Sequence, residues 1–270
     1  MIYLNGTLME DARARIDPTD RGLTLGDGLY ETVAVRNGYP LKAAAHMQRL
    51  CAGAETIGLI HSFTSAQLID ALGETIAANS LQQGVLRLTL TRGPGLRGLP
   101  PSPVSKPTLL VVASPLPPHT SNPISAVLAT VTRRNEFSPL SACKTLNALD
   151  NVLARLEAIE RGAGDAVLLN TRGFIAEATS SNVFAVIGGR LATPPVAEGA
   201  LPGVMRRFVM ETMKAEERPL SPDDLFAANE VFLTNSLGVR PMISLDGRRI
   251  GAGTPGAAAI KAQEAVTADG

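Results

Sequence analysis

Apolar and polar positions along the first half of the chain repeat with two periods, which predict strands and helices. Asn-Gly pairs at residues 5–6 and 37–38 each separate two apolar runs, and this pattern predicts two β-hairpins. Over 43–59 the apolar residues recur every three or four positions, which predicts a helix, and a second helix is predicted over 65–78 with Ser65 as its N-cap. GVLRLTLTRG and PTLLVVAS, which follow, are typical of strands.

The second half begins after a proline-rich stretch. SPLPPHTSNP, residues 114–123, holds four prolines, which neither a helix nor a central strand accommodates. We therefore expect a linker there, between an N-terminal domain over 1–113 and a C-terminal domain over 124–270. In the C-terminal domain, the pattern of apolar residues predicts a strand from Ile124 and several short strands after residue 164. It also predicts helices over 145–161 and 203–217. Because hairpins interrupt any regular strand–helix alternation, the predicted class is a two-domain mixed α/β (α+β) fold.

Charge and composition exclude several classes of partner. The 270 residues carry 25 basic and 25 acidic side chains, so the formal net charge is zero. A neutral chain offers no electrostatic surface for nucleic acid or an anionic membrane, and it tolerates self-association. Its two cysteines and three histidines have no disulfide or metal-ligand spacing, so we expect no metal site. With no apolar run long enough to span a bilayer and no signal-like start, a soluble cytoplasmic protein is expected.

Lys144 is the first candidate for chemistry. It stands in ACKTLNALDNVLARLEA, between apolar residues and a predicted helix. On its own it is most simply explained as a solvated lysine at a helix start. The alternative is a covalent catalyst, because an amine that is desolvated or lies near another cation becomes partly neutral and forms a Schiff base with a carbonyl compound.

Three other features suggest charged ligands. Glu177 is a lone acid in GFIAEATSSNVFAV, where burial demands a cationic partner such as a protonated ring nitrogen. The guanidinium of Arg49 could bind a phosphate group through two hydrogen bonds. LPGVMRR places Gly203 at a helix start, and TNSLGVRP places Asn235 and Ser236 in a turn, so both could present backbone N–H groups to an anion.

Taken in order, six motifs resemble a known family. DRGLTLGDGLYETV, HMQRL, KTLNALDNVLAR, EATSSNVF, LPGVMRR and TNSLGVRPM span nearly the whole chain and resemble the class IV (fold type IV) pyridoxal-phosphate enzymes. That family includes branched-chain aminotransferases, D-amino-acid aminotransferases and 4-amino-4-deoxychorismate lyases. The resemblance implies a smaller N-terminal and a larger C-terminal domain, a homodimer, pyridoxal 5'-phosphate as cofactor and a small amino compound as substrate.

The resemblance also implies roles for individual residues. Lys144 would hold the cofactor as a Schiff base and move protons, and Glu177 would keep the pyridine nitrogen protonated. Tyr30 would lie on the substrate side of the site. The phosphate would be held by Arg49 and by two backbone segments, which comprise Gly203, Val204 and Met205 in the first and Asn235, Ser236 and Leu237 in the second.

Single positions distinguish the three activities. Branched-chain aminotransferases usually carry a tyrosine where this chain has Leu149, and D-amino-acid aminotransferases tend to carry an Arg-x-His pair, of which Arg97 is present but Leu99 replaces the histidine. RGPGLRG, TNSLGVRP and Thr32 resemble the lyases, although Ala34 stands where lyases often have a basic residue. The expected activity is release of pyruvate from aminodeoxychorismate to give 4-aminobenzoate, with Thr32 and Arg97 at the substrate. Transfer of an amino group from a D-amino acid, or less favourably a branched-chain one, is the alternative.

Overall fold

A computed structural model describes residues 1–102, 106–117 and 122–268. Contacts divide these residues into two compact units. The first comprises Met1–Pro117 together with Cys143–Asn147, and the second comprises described residues 122–142 and 148–268. The predicted domain boundary stays a prediction, since residues 118–121 of the proposed linker lie outside the described residues and Ser114 belongs to the last strand before it.

The first unit is built on a six-stranded antiparallel sheet, in the order β2-β1-β6-β5-β3-β4. Its strands are β1 (Ile2–Leu4), β2 (Thr7–Met9), β3 (Gly28–Arg36), β4 (Tyr39–Pro40), β5 (Gln83–Thr91) and β6 (Thr108–Ser114). Its helices are α1 (Arg21–Leu25), α2 (Ala43–Thr56) and α3 (Ser65–Ala78).

Local sequence explains these elements. Both predicted Asn-Gly turns are confirmed, and Asn5, Gly6, Asn37 and Gly38 all have positive φ, which a tight hairpin turn requires. The predicted helix over 65–78 is also confirmed, but its N-cap is Thr64, which forms a capping box with Gln67. Leucine, valine and methionine side chains from α2, α3 and one face of the sheet form the core of this unit.

A nine-stranded mixed sheet forms the second unit, in the order β12-β11-β10-β13-β14-β7-β8-β9, with β15 paired to β14. The strands are β7 (Ile124–Leu128), β8 (Asp165–Leu169), β9 (Ile175–Ala178), β10 (Asn182–Ile187), β11 (Arg190–Thr193), β12 (Glu216–Glu217), β13 (Glu230–Asn235), β14 (Gly238–Leu245) and β15 (Arg248–Arg249). The helices are α4 (Leu149–Glu160), α5 (Val204–Met213), α6 (Pro222–Phe226) and α7 (Ala257–Ala268).

Three predicted helix boundaries are wrong. The helix predicted over 43–59 ends at Thr56, because Gly58 turns the chain with a positive φ. The helix predicted from residue 145 begins only at Leu149, because Thr145 forms a β-bridge with Leu29. The helix predicted to end at 217 stops at Met213, where Lys214 adopts a left-handed conformation and the chain turns into β12. In the described parts of the chain, no helix has the length and hydropathy that crossing a bilayer requires.

Candidate active site

Lys144 lies in an extended segment along the edge of β3. The Tyr30 N–H donates to the Lys144 carbonyl at 2.9 Å, and the Leu146 N–H donates to the Gly28 carbonyl at 3.0 Å. Between them, Thr145 pairs with Leu29. Since Leu29 belongs to the core beneath α2 and side chains alternate along an extended chain, Lys144 projects from the opposite face of the sheet.

On that face, an aromatic ring contacts two cations. The Lys144 Nζ lies 4.4 Å from the centroid of the Tyr30 ring, and the Arg87 guanidinium carbon lies 3.8 Å from the same centroid. Tyr30 pairs with Thr89, and Thr32 pairs with Arg87, so all four side chains share one face. We call Tyr30, Thr32, Arg87, Thr89 and Lys144 the lysine cluster.

Arg87 is a member that the motifs did not single out. The signal was nonetheless present in the sequence, because Arg87 and Thr89 alternate with buried Leu86, Leu88 and Leu90 in one strand. What the alternation alone could not provide was the register with β3, which sets Arg87 opposite Thr32. The cluster therefore carries a guanidinium next to the lysine, suited to bind an anionic group.

Arg49 is engaged by a buried carboxylate on the other face of β3. Its Nε and one terminal nitrogen donate to the two oxygens of Glu31 at 2.8 and 2.6 Å. The Nδ1 of buried His46 lies 2.7 Å from the same carboxylate. Burial by itself would raise the pKa of Glu31, but the hydrogen bonds from His46 and Arg49 and their charge outweigh it, so this pKa lies below its usual value. A phosphate role for Arg49 stays a prediction.

Arg97 is exposed in a loop that another arginine holds in place. Arg21 donates to the carbonyls of Gly98 and Leu99 at 3.0 and 2.7 Å, and its Nε pairs with Asp27 at 2.8 Å. Desolvation acts to raise the pKa of Asp27, yet its hydrogen bonds from Arg92 and Arg21 hold that pKa below the usual value. The loop is thus anchored by its backbone, and the Arg97 side chain is left at the surface.

In the second unit, Glu177 is buried on β9 beside an arginine. Its Oε1 lies 3.2 Å from Nε of Arg134, and its Oε2 accepts a hydrogen bond of 3.0 Å from the Leu201 N–H. The cationic partner that the sequence demanded is therefore Arg134, which the motifs did not identify. A buried carboxylate that is paired with a cation and accepts a backbone hydrogen bond has the chemistry to face a protonated ring nitrogen.

The start of α5 has no side-chain cap. Gly203 is the N-cap and supplies no side-chain cap, so backbone N–H groups of the first turn, which includes Val204 and Met205, are not capped by it. A Cβ at Gly203 would overlap Oδ1 of Asn182, whose Nδ2 donates to the Leu201 carbonyl at 2.9 Å. The glycine is therefore required by the close approach of Asn182.

A buried hydroxyl faces the same region. Thr234 pairs directly with Asn182 across β13 and β10, so the two side chains lie on one face of the sheet. Among the described residues, the Oγ1 of Thr234 has no hydrogen-bond partner, although the residue is only 1% exposed. This hydroxyl is therefore free to hydrogen-bond a bound ligand or a buried water.

The adjoining turn is less open. The side-chain oxygen of Asn235 accepts from the Leu237 N–H at 2.9 Å, and its Nδ2 donates to the Ser181 hydroxyl at 3.0 Å. The predicted use of the Leu237 N–H for phosphate would thus require Asn235 to release it. Ser236 lies in the turn between them, and its phosphate role stays a prediction.

Comparison with known proteins agrees with this chemistry. A family model described as "Amino-transferase class IV" matches residues 28–245. The chain belongs to the class IV aminotransferase family. Members of this family are enzymes that depend on pyridoxal phosphate. The described residues fit that cofactor, since the chain has an amine, a buried acid and an uncapped helix start with an unpartnered hydroxyl on its side of the sheet.

Relatives of different activity are similar to this chain. A putative branched-chain-amino-acid aminotransferase of Methanocaldococcus jannaschii is 35% identical, over 92% of this chain and 89% of the relative. A D-alanine aminotransferase of Bacillus licheniformis is 33% identical, over 94% and 92%. A 4-amino-4-deoxychorismate lyase from Pseudomonas aeruginosa, known from its crystal structure, is 32% identical in sequence. The match covers 100% of this chain and 99% of the lyase chain, and the two structures superpose with a TM-score of 0.87. The family and its fold are established by these matches.

Proposed function

We propose that the chain is a lyase of the 4-amino-4-deoxychorismate type, which releases pyruvate and 4-aminobenzoate. The observation that carries this proposal is the cationic, polar face around Lys144. Arg87 and two threonines line it, and these suit a substrate with carboxylates better than one with a branched apolar side chain. Aminodeoxychorismate carries two carboxylates, and Arg87 and Arg97 are the candidates that would bind them.

The residues have distinct roles in this proposal. Bound pyridoxal phosphate supplies an acceptor for the electron pair left when a substrate proton is removed. Lys144 would hold the cofactor covalently, and its amine, once freed by the substrate amine, would take the ring proton. The bond from the ring to the enolpyruvyl oxygen would break as the ring becomes aromatic, and a proton delivered to the enolpyruvyl methylene carbon would give pyruvate. The Lys144 amine would then release 4-aminobenzoate by taking its place again. Glu177 holds the proton on the cofactor ring nitrogen.

Phosphate binding is assigned to the start of α5. Its backbone N–H groups and the helix dipole favour an anion, and Thr234 offers a hydroxyl on the same side of the sheet. Arg49 and the backbone of Ser236 and Leu237 stay candidates for the phosphate, as the family resemblance implies, and Tyr30 and Thr32 are proposed on the substrate side. These assignments extend the family's chemistry to residues of this chain.

Product analysis tests the proposed reaction. The chain is incubated with aminodeoxychorismate and, separately, with D-alanine and 2-oxoglutarate. Release of 4-aminobenzoate together with pyruvate supports the lyase, whereas D-glutamate formation without it would refute the lyase proposal. Lys144→Ala should abolish turnover, while Lys261→Ala, an exposed lysine on α7, should leave it unchanged.

A D-amino-acid aminotransferase is the second candidate, favoured by the 33% identity to the Bacillus licheniformis enzyme. The observation against it is Leu99, which is 78% exposed and offers no imidazole to a substrate carboxylate. In this alternative, Arg87 would bind the carboxylate of the amino acid instead. A third, branched-chain activity agrees with the Methanocaldococcus jannaschii relative, and Arg87 would bind the α-carboxylate there as well. The observation against it is the polar pair Thr32 and Thr89 on the same face, which does not match an apolar side chain.

We also propose that the chain forms a homodimer through α4. This helix packs on its sheet through fully buried Ala154 and Ala158, so its small residues face inward. Its large apolar residues face outward, with exposures of 45–76%, and they recur every three or four positions: Leu149, Val152, Leu153, Leu156 and Ile159. A helix with this polarity needs a covering surface.

The size and charge of this face favour a second copy of the chain. A fully exposed aliphatic side chain offers on the order of 100 Å² of apolar surface, so the five together offer about 280 Å². A standard interface buries about 800 Å² per partner, of which the core is apolar and the rim polar. Two copies with zero net charge do not repel each other, and a helix can pair with its own copy about a twofold axis.

Light scattering coupled to gel filtration tests the dimer. Leu156→Glu should give the mass of a monomer, whereas Ile260→Glu, at the same exposure of 50% on α7, should remain dimeric. A parent chain that elutes as a monomer, or a dimer unchanged by Leu156→Glu, would contradict the proposal.

A further inference from the structure

Arg134 contacts the Glu177 carboxylate and two backbone carbonyl groups. Its Nε lies 3.2 Å from Glu177 Oε1 and donates to the Gly199 carbonyl at 3.2 Å, and a terminal nitrogen donates to the Ser141 carbonyl at 3.2 Å. Its own backbone N–H donates to the Leu169 carbonyl at 2.9 Å. One guanidinium therefore joins a buried acid to two separate backbone segments.

The surroundings explain why an arginine is needed. The Arg134 and Glu177 side chains are 15% and 8% exposed, so both charges have lost most of their hydration. An unpaired carboxylate in such a position would favour its neutral form, which cannot hold a proton on a cofactor ring nitrogen. The guanidinium pairs with the carboxylate and donates to both carbonyls from nitrogens held in one plane, which the single nitrogen of an ammonium group does not reproduce.

The backbone around Arg134 is shaped for this contact. Gly199 has a φ of +93°, and a Cβ there would lie 3.3 Å from the Cβ of Arg134. A side chain at that position would be strained and would crowd the arginine. Arg134 also holds the short 3₁₀ helix Pro139–Ala142 at its Ser141 carbonyl, three residues before Lys144.

We infer that Arg134 is a positioning residue for cofactor binding, which pairs with the Glu177 carboxylate and fixes its orientation. This inference rests on the proposed role of Glu177 at the cofactor ring nitrogen. Arg134 is not proposed to contact the cofactor. Its effect is transmitted through the carboxylate, and this distinguishes it from a general structural arginine.

A titration of pyridoxal phosphate into the full chain, freed of cofactor, tests the inference. The dissociation constant and the pH profile of the bound cofactor's absorbance are measured for Arg134→Gln, Arg134→Lys and Glu177→Gln. Arg172→Gln is the matched control, because Arg172 pairs with other glutamates, Glu136 and Glu198, in the same unit. Far-UV circular dichroism reports folding of each variant.

We expect Arg134→Gln to weaken cofactor binding about tenfold and to shift the pH profile of the absorbance, as loss of a charged hydrogen-bonded partner predicts. Arg134→Lys keeps the charge but loses the fork, and it should weaken binding about threefold. Arg172→Gln should match the parent. In a Glu177→Gln background, the effect of Arg134→Gln should disappear, because the two residues act through one interaction.

The outcomes distinguish the proposed role of Glu177 at the cofactor from the inferred role of Arg134. Glu177→Gln with unchanged affinity and absorbance would refute the proposed role of Glu177. If Glu177→Gln does change them, a parent-like Arg134→Gln would overturn the inference about Arg134, and so would an effect that persists undiminished in the double variant. If Arg134→Gln does not fold, Arg134→Lys decides, and parent-like affinity in that variant overturns the inference.

Discussion

Substitution of Glu31 by glutamine removes one charge from the buried Glu31–His46–Arg49 cluster of the N-terminal unit. Glu31 is fully buried and accepts from Arg49 at 2.8 and 2.6 Å, with His46 at 2.7 Å. Glutamine keeps the shape and one acceptor oxygen. It cannot compensate the positive charge of Arg49, and its NH₂ group would face donors where the second carboxylate oxygen now accepts.

The expected cost follows from burial. Removal of one partner from a buried ion pair costs about 3–5 kcal/mol, since the other charge stays where water cannot solvate it. The Arg49 side chain is 11% exposed, so some hydration is recovered and the lower end applies. We therefore expect Glu31→Gln to lower the free energy of unfolding by about 3 kcal/mol at pH 7.

The penalty should depend on pH. The folded-state pKa of Glu31 lies below its usual value of about 4.3, so the ion pair stabilises the fold fully above that value. The stabilisation is lost as pH falls through the depressed folded-state pKa. The difference between parent and Glu31→Gln should therefore be constant at neutral pH and shrink below about pH 4.

Urea denaturation followed by far-UV circular dichroism measures both effects, at pH 7 and at intervals down to the acid limit of folding. Glu55→Gln, an exposed glutamate on α2, is the control and should stay within about 0.5 kcal/mol of the parent. A loss below about 1 kcal/mol for Glu31→Gln, or a difference that widens in acid, would refute the argument that a buried ion pair is broken.

Three further predictions concern the site. Gly203 has a φ of −65°, which alanine adopts without strain, but the added Cβ of Gly203→Ala would displace Asn182 at the α5 start. We expect cofactor binding to weaken about tenfold, which fluorescence titration measures. Arg87→Gln should raise KM for a carboxylate substrate about tenfold or more with a smaller change in kcat, as steady-state kinetics would show. Thr234→Val should leave the cofactor-free fold unchanged or up to about 1 kcal/mol more stable, measured by urea denaturation, since it removes a hydroxyl without a partner.

Each of these has an outcome that contradicts it. Cofactor affinity unchanged in Gly203→Ala would mean that Asn182 moves freely and that the helix start is not a phosphate site. A KM effect for Arg97→Gln but none for Arg87→Gln would place the substrate carboxylate at the loop instead of the lysine cluster. A destabilised Thr234→Val would show that the hydroxyl has a partner, such as a buried water.

The sequence predicted elements whose signals are local. Asn-Gly turns and the three- and four-residue apolar period each act within a few positions, so two hairpins and the existence of α2 and α3 were predicted correctly. The short helix α1 was not predicted. The start of α4 was missed because Thr145 and Leu146 pair with the backbone of β3, more than a hundred residues earlier. Helix α7, rich in alanine and weakly periodic, gave no comparable signal and was not predicted.

The candidate site divides in the same way. Lys144 and Tyr30 were selected by motif, and the structure brings them together at 4.4 Å. Arg87 and Arg134 were missed, because their importance depends on which distant residue they face, Tyr30 in one case and Glu177 in the other. Sheet register and loop packing determine such neighbours, and neither follows from composition or spacing in one sequence.

The extended segment around Lys144 has a consequence for synthesis of the protein. Cys143–Asn147 completes the N-terminal unit, although it follows the rest of that unit by about 30 residues. At about 5–20 residues per second, a ribosome needs roughly 1.5–6 s to make that stretch. During this interval the backbone of Gly28 and Tyr30 lacks the partners that Lys144 and Leu146 later provide, so the nascent sheet has an open edge. Unpaired strand edges are templates for pairing with other chains, so this edge is open to such pairing until residues 143–147 have been made.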